Sequence, residues 1–193
     1  MKVNLSENES IFCQAIANVS LLAALSNDNF LKSEYFQKMK LANTDENHQN
    51  IKAILTAFGL GNPAMLQMFM YSLLVIPKEL LKNGYCEERF NEKVLECDPI
   101  CHSTYEGEDD NKDVNYYRHI RNAIAHSRCK YSVENGVPYV EFSDWISNAR
   151  NRSEKSINCT IKMKTMDVGK LFKFLMSELM KILNKTITKN SNE

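Results

Sequence analysis

Net charge is the first thing this chain lacks: 24 Lys and Arg are balanced by 24 Asp and Glu over 193 residues. Without a global basic field, any contact with nucleic acid has to rest on a local patch. The start, MKVNLSENES, has neither the basic beginning nor the apolar core of a secretory signal. Its longest apolar run, about 64–77, is broken by Gln67 and ends in Pro77. That is too short to span a bilayer and suits a core or interface helix. These absences predict a cytoplasmic protein without membrane attachment. The six cysteines (13, 86, 97, 101, 129, 159) have no small-disulfide-domain rhythm, so they are expected as reduced thiols that behave as small apolar residues. Cys97, Cys101 and His102 lie close together, but no second paired cluster stands at finger-like spacing, and only Cys86 or Cys129 is left to complete four ligands. No carboxylates converge either: Glu106, Glu108, Asp109, Asp110 and Asp113 share one loop and its exit. Neither a metal nor another cofactor is expected.

Helical patterning fills most of the chain. Ser6 and Glu9 have capping-box spacing, and Ile11, Ala15, Val19, Leu22 and Leu25 then predict a helix over about 7–26. A short helix is expected within 30–39 and another over 46–58, stopped by Gly59. Asn62 and Pro63 open an apolar helix over about 64–82, and a more polar one follows near 86–97. Residues 98–112 have no period and read as a loop. Its acidic stretch 106–110 is expected to be solvated, with electrostatic gating of a neighbouring basic surface as the functional alternative. A helix from Asp113 to about Ser127 comes next. The period then changes to two, with strands on either side of Asn135-Gly136 and a third over 157–163, before Asp167 caps a last amphipathic helix. No internal repeat or linker divides the chain. The expected fold is a single, mostly α domain over 1–193, a helical bundle with a small antiparallel sheet inserted before the C-terminal helix.

The helix from 113 to 127 holds the chemistry. Asn115, His119, Asn122 and His126 fall within about 60° of one another around the helix, a polar stripe of Asn and His where solvent faces usually carry Lys and Glu. Arg118 and Arg121 form a ridge along one flank, and Arg128 and Lys130 continue the basic run. An imidazole that moves protons near neutral pH, beside a guanidinium that stays charged, suits RNA cleavage through the 2′-hydroxyl.

The segment RNAIAH at 121–126 resembles the Arg-x4–6-His motif of the HEPN superfamily, helical bundles many of which are ribonucleases. The wider string HIRNAIAHSRCKY, followed by a hairpin, a further strand and a terminal helix, resembles a plasmid- and phage-defence branch of that superfamily, most closely over 113–145. The resemblance implies a metal-independent endoribonuclease, a toxin or phage-defence effector, with its site at a homodimer interface and an antitoxin or inhibitor protein as a potential partner. It implies that Arg121 contacts the scissile phosphate, His126 transfers protons and Asn122 orients one of them. Arg118, His119, Arg128 and Lys130 lie outside the motif and are expected to contact RNA because of their charge and position. Two other functions fit the same residues. One is a non-catalytic HEPN module that binds a partner protein, nucleotide or RNA. The other is a helical oligomerisation protein working through the Met-rich face at 65–76.

Overall fold

The computed structural model describes residues 5–27, 29–80, 86–105, 107–108, 113–147 and 155–191. Helix α1, Glu7–Asn27, opens on the expected capping box: Ser6 donates its backbone N–H to Glu9 Oε2 at 2.9 Å, and Ser6 Oγ accepts from the Glu9 N–H at 3.4 Å. By length and composition alone α1 is long and apolar enough to cross a membrane. Its Phe12, Ile16 and Val19 nevertheless belong to the core of the bundle. A 3-10 turn at Phe30–Lys32 leads into the short α2, Glu34–Lys38. Helix α3, Asp45–Phe58, is capped by Thr44 and closed by Gly59 at φ 71°, a conformation that favours glycine.

Asn62 Oδ1 accepts from the Met65 N–H at 3.0 Å, and Pro63 occupies the first turn of α4, Pro63–Met70. The continuous helix expected over 64–82 is interrupted. A π-helical segment, Tyr71–Val75, separates α4 from α5, Ile76–Leu80, and residues 81–82 lie outside the described residues. Pro77 explains the widening: it has no N–H to donate and its ring crowds the carbonyl one turn back, so the ladder loosens just upstream. Leu73 and Leu74 in this segment are fully buried. Helix α6, Glu87–Leu95, follows, and its Phe90 stacks edge-on against Tyr117 at 5.5 Å.

The loop expected over 98–112 contains a strand. Strand β1, Ile100–Ser103, pairs antiparallel with a strand some sixty residues further on, a partnership no local period can announce. Helix α7, Tyr116–Ala125, is shorter than the sequence suggested. Asn115 is its cap, accepting from the Arg118 N–H at 3.0 Å, while Asp113 stands before it at φ 54°. Strands β2, Cys129–Glu134, and β3, Val137–Ser147, form the predicted hairpin, with Asn135 and Gly136 both at positive φ as a type I′ turn requires. Strand β4, Lys155–Lys164, runs directly into α8, Thr165–Ser191, so that Asp167 sits inside the first turn instead of capping it.

The sheet order is β1-β4-β3-β2, antiparallel throughout. Val140 and Phe142 of β3 and Ile161 and Met163 of β4 meet Ile120 and Ile124 of α7 and Val168, Leu171 and Leu175 of α8 in one apolar cluster. Each such side chain contributes about 1.5–3 kcal/mol relative to exposure. Arg89 clamps α6 to α8 through both oxygens of Glu178, at 2.5 and 2.9 Å. The sheet and α6 thus fix α7 from two sides.

Candidate functional site

Helix α7 has little solvent face. Tyr116, Tyr117, His119, Ile120, Ala123 and Ile124 are all buried. The polar stripe therefore does not line an open cleft along its length: its middle faces the sheet. His119 is 1% exposed, and both ring nitrogens are engaged, Nδ1 with Asp144 Oδ2 at 2.8 Å and Nε2 with the Glu108 oxygens at 2.9 and 3.0 Å. An RNA contact by this ring, expected from its place on the stripe, is not available in this conformation. Burial costs a polar side chain less when its partners are inside too, which is why His and Asn replace Lys and Glu here.

Asp144 is the hub. Its Oδ2 accepts from His119, from Asn122 Nδ2 at 2.9 Å and from the Tyr105 hydroxyl at 3.3 Å, and Arg128 Nη1 stands 4.0 Å from its Oδ1. A β-bulge between Asp144 and Trp145 shifts the register against β4 at this point, so Asp144 pairs with Cys159 and Trp145 with Ile157. Glu108, expected in a solvated acidic loop, instead turns inward. It accepts from Ser103 Oγ at 2.7 Å and from the Asn115 N–H at 3.3 Å as well as meeting His119. Its neighbours Glu106, Asp109 and Asp110 lie outside the described residues.

These contacts set the charges. Burial alone lowers the His119 pKa, but the hydrogen bonds to Asp144 and Glu108, and their charges, outweigh it and the net direction is up. For Asp144 burial raises the pKa, and the hydrogen bonds from His119 and Asn122 with the His119 charge bring it below the usual range. Glu108 follows the same course, lowered overall by His119 and Ser103 against burial. The result is an imidazole between two carboxylates, its pKa raised and theirs lowered, with the Tyr105 ring 4.6 Å from His119 and Arg118 4.9 Å above the Tyr105 ring.

The three motif residues point in different directions. Asn122 is committed to Asp144. Arg121, with 24% of its side chain exposed, reaches Glu79 of α5 at 3.4 Å, and its buried Nε has no hydrogen-bond partner among the described residues. His126 is exposed and caps the helix at φ −104°, ψ 11°, the sparsely populated bridge region. A Schellman closure holds it there: Ser127, at φ 54°, donates its N–H to Ile124 O at 3.1 Å, and Arg128 to Ala123 O at 2.7 Å. Among the described residues no hydrogen bond joins the side chains of Arg121, Asn122 and His126. Of the further cations, Arg118 and Lys130 are exposed. Arg128 is folded onto Trp145, its guanidinium 3.7 Å from the ring and bonded to the Trp145 carbonyl at 3.0 Å.

Sequence reasoning missed Asp144, Glu108, Tyr105 and Ser103. One signal was present: Val140, Phe142 and Asp144 share a strand parity, and a carboxylate at an inward position needs a buried partner. Another grouping also escaped it. The ligand atoms of Glu108, His119 and Cys159 all lie within 4.8 Å of one another. The close-spaced Cys97 and Cys101 meanwhile diverge: Cys97 Sγ bonds the Lys93 carbonyl, while Cys101 Sγ lies 4.0 Å from Cys159 Sγ. None of the six cysteines forms a disulfide, and burial pushes the Cys129 thiol up to about 11.

Compared with known proteins, the chain matches the family described as HEPN pEK499 p136 over residues 4–186. No curated protein and no solved structure matches it. The family match spans nearly all of the sequence, and the fold is mostly helical with an antiparallel sheet placed before the last helix. The chain therefore belongs to the HEPN superfamily, in the HEPN pEK499 p136 family.

Proposed function

We propose that the protein is a metal-independent endoribonuclease, a toxin or phage-defence effector acting in the cytoplasm, whose site forms where two copies of α7 meet. The observation that carries this is the state of Arg121. Among the described residues its guanidinium has a buried Nε–H without a partner and only a long ion pair to Glu79, and an exposed imidazole, His126, stands at the C-terminal cap of the same helix. A phosphate supplies the acceptors such a fork needs. A single helix end is too open to exclude water, and a two-fold pairing brings a second Arg121 and His126 to the same cleft. In this reading Arg121 holds the phosphate as charge grows, and His126 takes the proton from the 2′-hydroxyl. That oxygen then forms the bond to phosphorus as the P–O5′ bond breaks, and the 5′-oxygen leaves as a hydroxyl by taking a proton from the second, protonated His126 of the cleft. Asn122 is a positioning residue held by Asp144, and Arg118 and Lys130 meet the flanking backbone.

The experiment is end-group analysis of RNA cut by the full chain in EDTA, with light scattering for the dimer. Expected products are 2′,3′-cyclic phosphate and 5′-hydroxyl ends, with DNA untouched. Arg121→Ala and His126→Ala should each lose about 10²–10⁴-fold in rate while remaining folded, and Arg121→Lys should also be severely impaired because an ammonium lacks the planar fork. Ends bearing 5′-phosphate, activity restored by magnesium, or unchanged cleavage by the two folded alanine variants would overturn the mechanism. A folded wild type that cuts no RNA would favour the non-catalytic module.

A further inference from the structure

We propose that Cys101, Cys159, His119 and Glu108 form a closed, four-coordinate zinc site where β1, β4 and α7 meet. Three of the four ligand atoms already lie within 4.8 Å of one another. The fourth comes from the adjacent strand: Cys101 of β1 stands opposite Ile161, diagonal to Cys159 of β4, and its sulfur, outside that group of three, lies 4.0 Å from Cys159 Sγ. Tetrahedral zinc, with Zn–S of about 2.3 Å, sets two sulfurs about 3.8 Å apart. The His119 Nε2 to Glu108 oxygen distances, 2.9 and 3.0 Å, need to open only to about 3.3 Å for Zn–N and Zn–O bonds of about 2.0–2.1 Å.

Three further features fit a metal. His119 holds its other nitrogen on Asp144 at 2.8 Å, the outer carboxylate that fixes which ring nitrogen a metal meets. The ligands are shielded from solvent: His119 and Cys159 are each 1% exposed, Cys101 5%. The Tyr116 hydroxyl is buried with no partner among the described residues, and burial first, then Cys101, Cys159 and Glu108, push its pKa up. Two sulfurs, an imidazole and one carboxylate select zinc over magnesium or calcium, which take oxygen ligands. Binding displaces a proton from each thiol and from His119 Nε2, so acid competes with the metal. With all four positions filled by side chains, no site remains for an activated water. The zinc is structural and independent of the cleavage proposed at Arg121 and His126.

The test is elemental analysis of the full chain purified from zinc-supplemented culture and dialysed, with cobalt(II) titration of the metal-free form. The expected result is about one zinc ion per chain and a thiolate-to-cobalt charge-transfer band that saturates at the same ratio. Cys159→Ser and Cys101→Ser should each weaken that band and Asp144→Asn lower affinity about 10–100-fold, while Cys129→Ser, outside the cluster, keeps both. If the cluster variants do not fold, the wild-type titration still decides. Folded wild type with neither stoichiometric zinc nor a cobalt band overturns the proposal, as does a full band in folded Cys159→Ser. Arg121→Ala should keep its zinc while losing cleavage, so failure of one reading leaves the other standing.

Discussion

Removing the Asp144 carboxylate should be as damaging as truncating a core side chain beside α7. In Asp144→Ala the His119 ring loses its 2.8 Å partner, Asn122 loses the acceptor at 2.9 Å and Tyr105 the one at 3.3 Å. Breaking a buried ion pair from one side costs about 3–5 kcal/mol. Each neutral donor left unsatisfied adds about 1–3 kcal/mol unless water enters the space. Water can reach part of a deleted carboxylate's volume, so we expect about 3–5 kcal/mol in total, a large share of the roughly 5–15 kcal/mol typical of a folded protein. Asp144→Asn keeps one acceptor oxygen and loses the charge, and should cost about 1.5–3 kcal/mol. Urea denaturation of metal-free protein measures both, with the slope unchanged if only stability moves. A cycle with His119→Ala isolates the pair, and the coupling should fall at the upper end of the roughly 0.5–3 kcal/mol range for contacting groups. A loss below about 1 kcal/mol for Asp144→Ala, or additive single and double variants, would refute the reasoning.

The same cluster sets a pH profile in metal-free protein. The raised pKa of His119 contributes stability that is fully present below the ordinary imidazole value of about 6.5 and is lost as pH rises through the raised value. The lowered pKa values of Asp144 and Glu108 contribute stability above the ordinary carboxylate range near 4 that is lost as pH falls through the lowered values. The urea midpoint should therefore be highest between about pH 4.5 and 6.5 and decline on the alkaline side, a slope that His119→Gln flattens; a midpoint rising steadily above pH 6.5 would contradict it. Ser127→Gly should raise stability by about 0.5–1 kcal/mol, since Ser127 holds a left-handed conformation at φ 54° that glycine adopts without strain; thermal melting that shows a loss would mean that the Ser127 side chain does something the Schellman closure does not require. Arg121→Ala should change the unfolding free energy by no more than about 1 kcal/mol, because its only ion pair among the described residues is partly exposed.

Local chemistry decided the elements that the sequence made legible. The Ser6–Glu9 box, the Asn62-Pro63 start, the Gly59 stop and the Asn135-Gly136 turn each act within four residues of chain, and each is found where its spacing put it. The period of two after α7 likewise marked the hairpin and β4, and RNAIAH with its surroundings pointed to the superfamily. What the sequence could not decide was which way the polar stripe faces. Periodicity says that Asn115, His119, Asn122 and His126 share a side of α7, but a side becomes interior or surface only when something packs on it. That something is β3, carrying Asp144, together with the chain after β1, carrying Glu108. Both partners come from elsewhere in the sequence, at separations of 25 and 11 residues from His119. Tertiary pairing of β1 with β4 also separates Cys101 from Cys97 and sets it beside Cys159, 58 residues away. The imidazole was visible in the sequence; its two carboxylates and two neighbouring thiols were not, because sheet register and a long-range strand pairing are what assemble them around it.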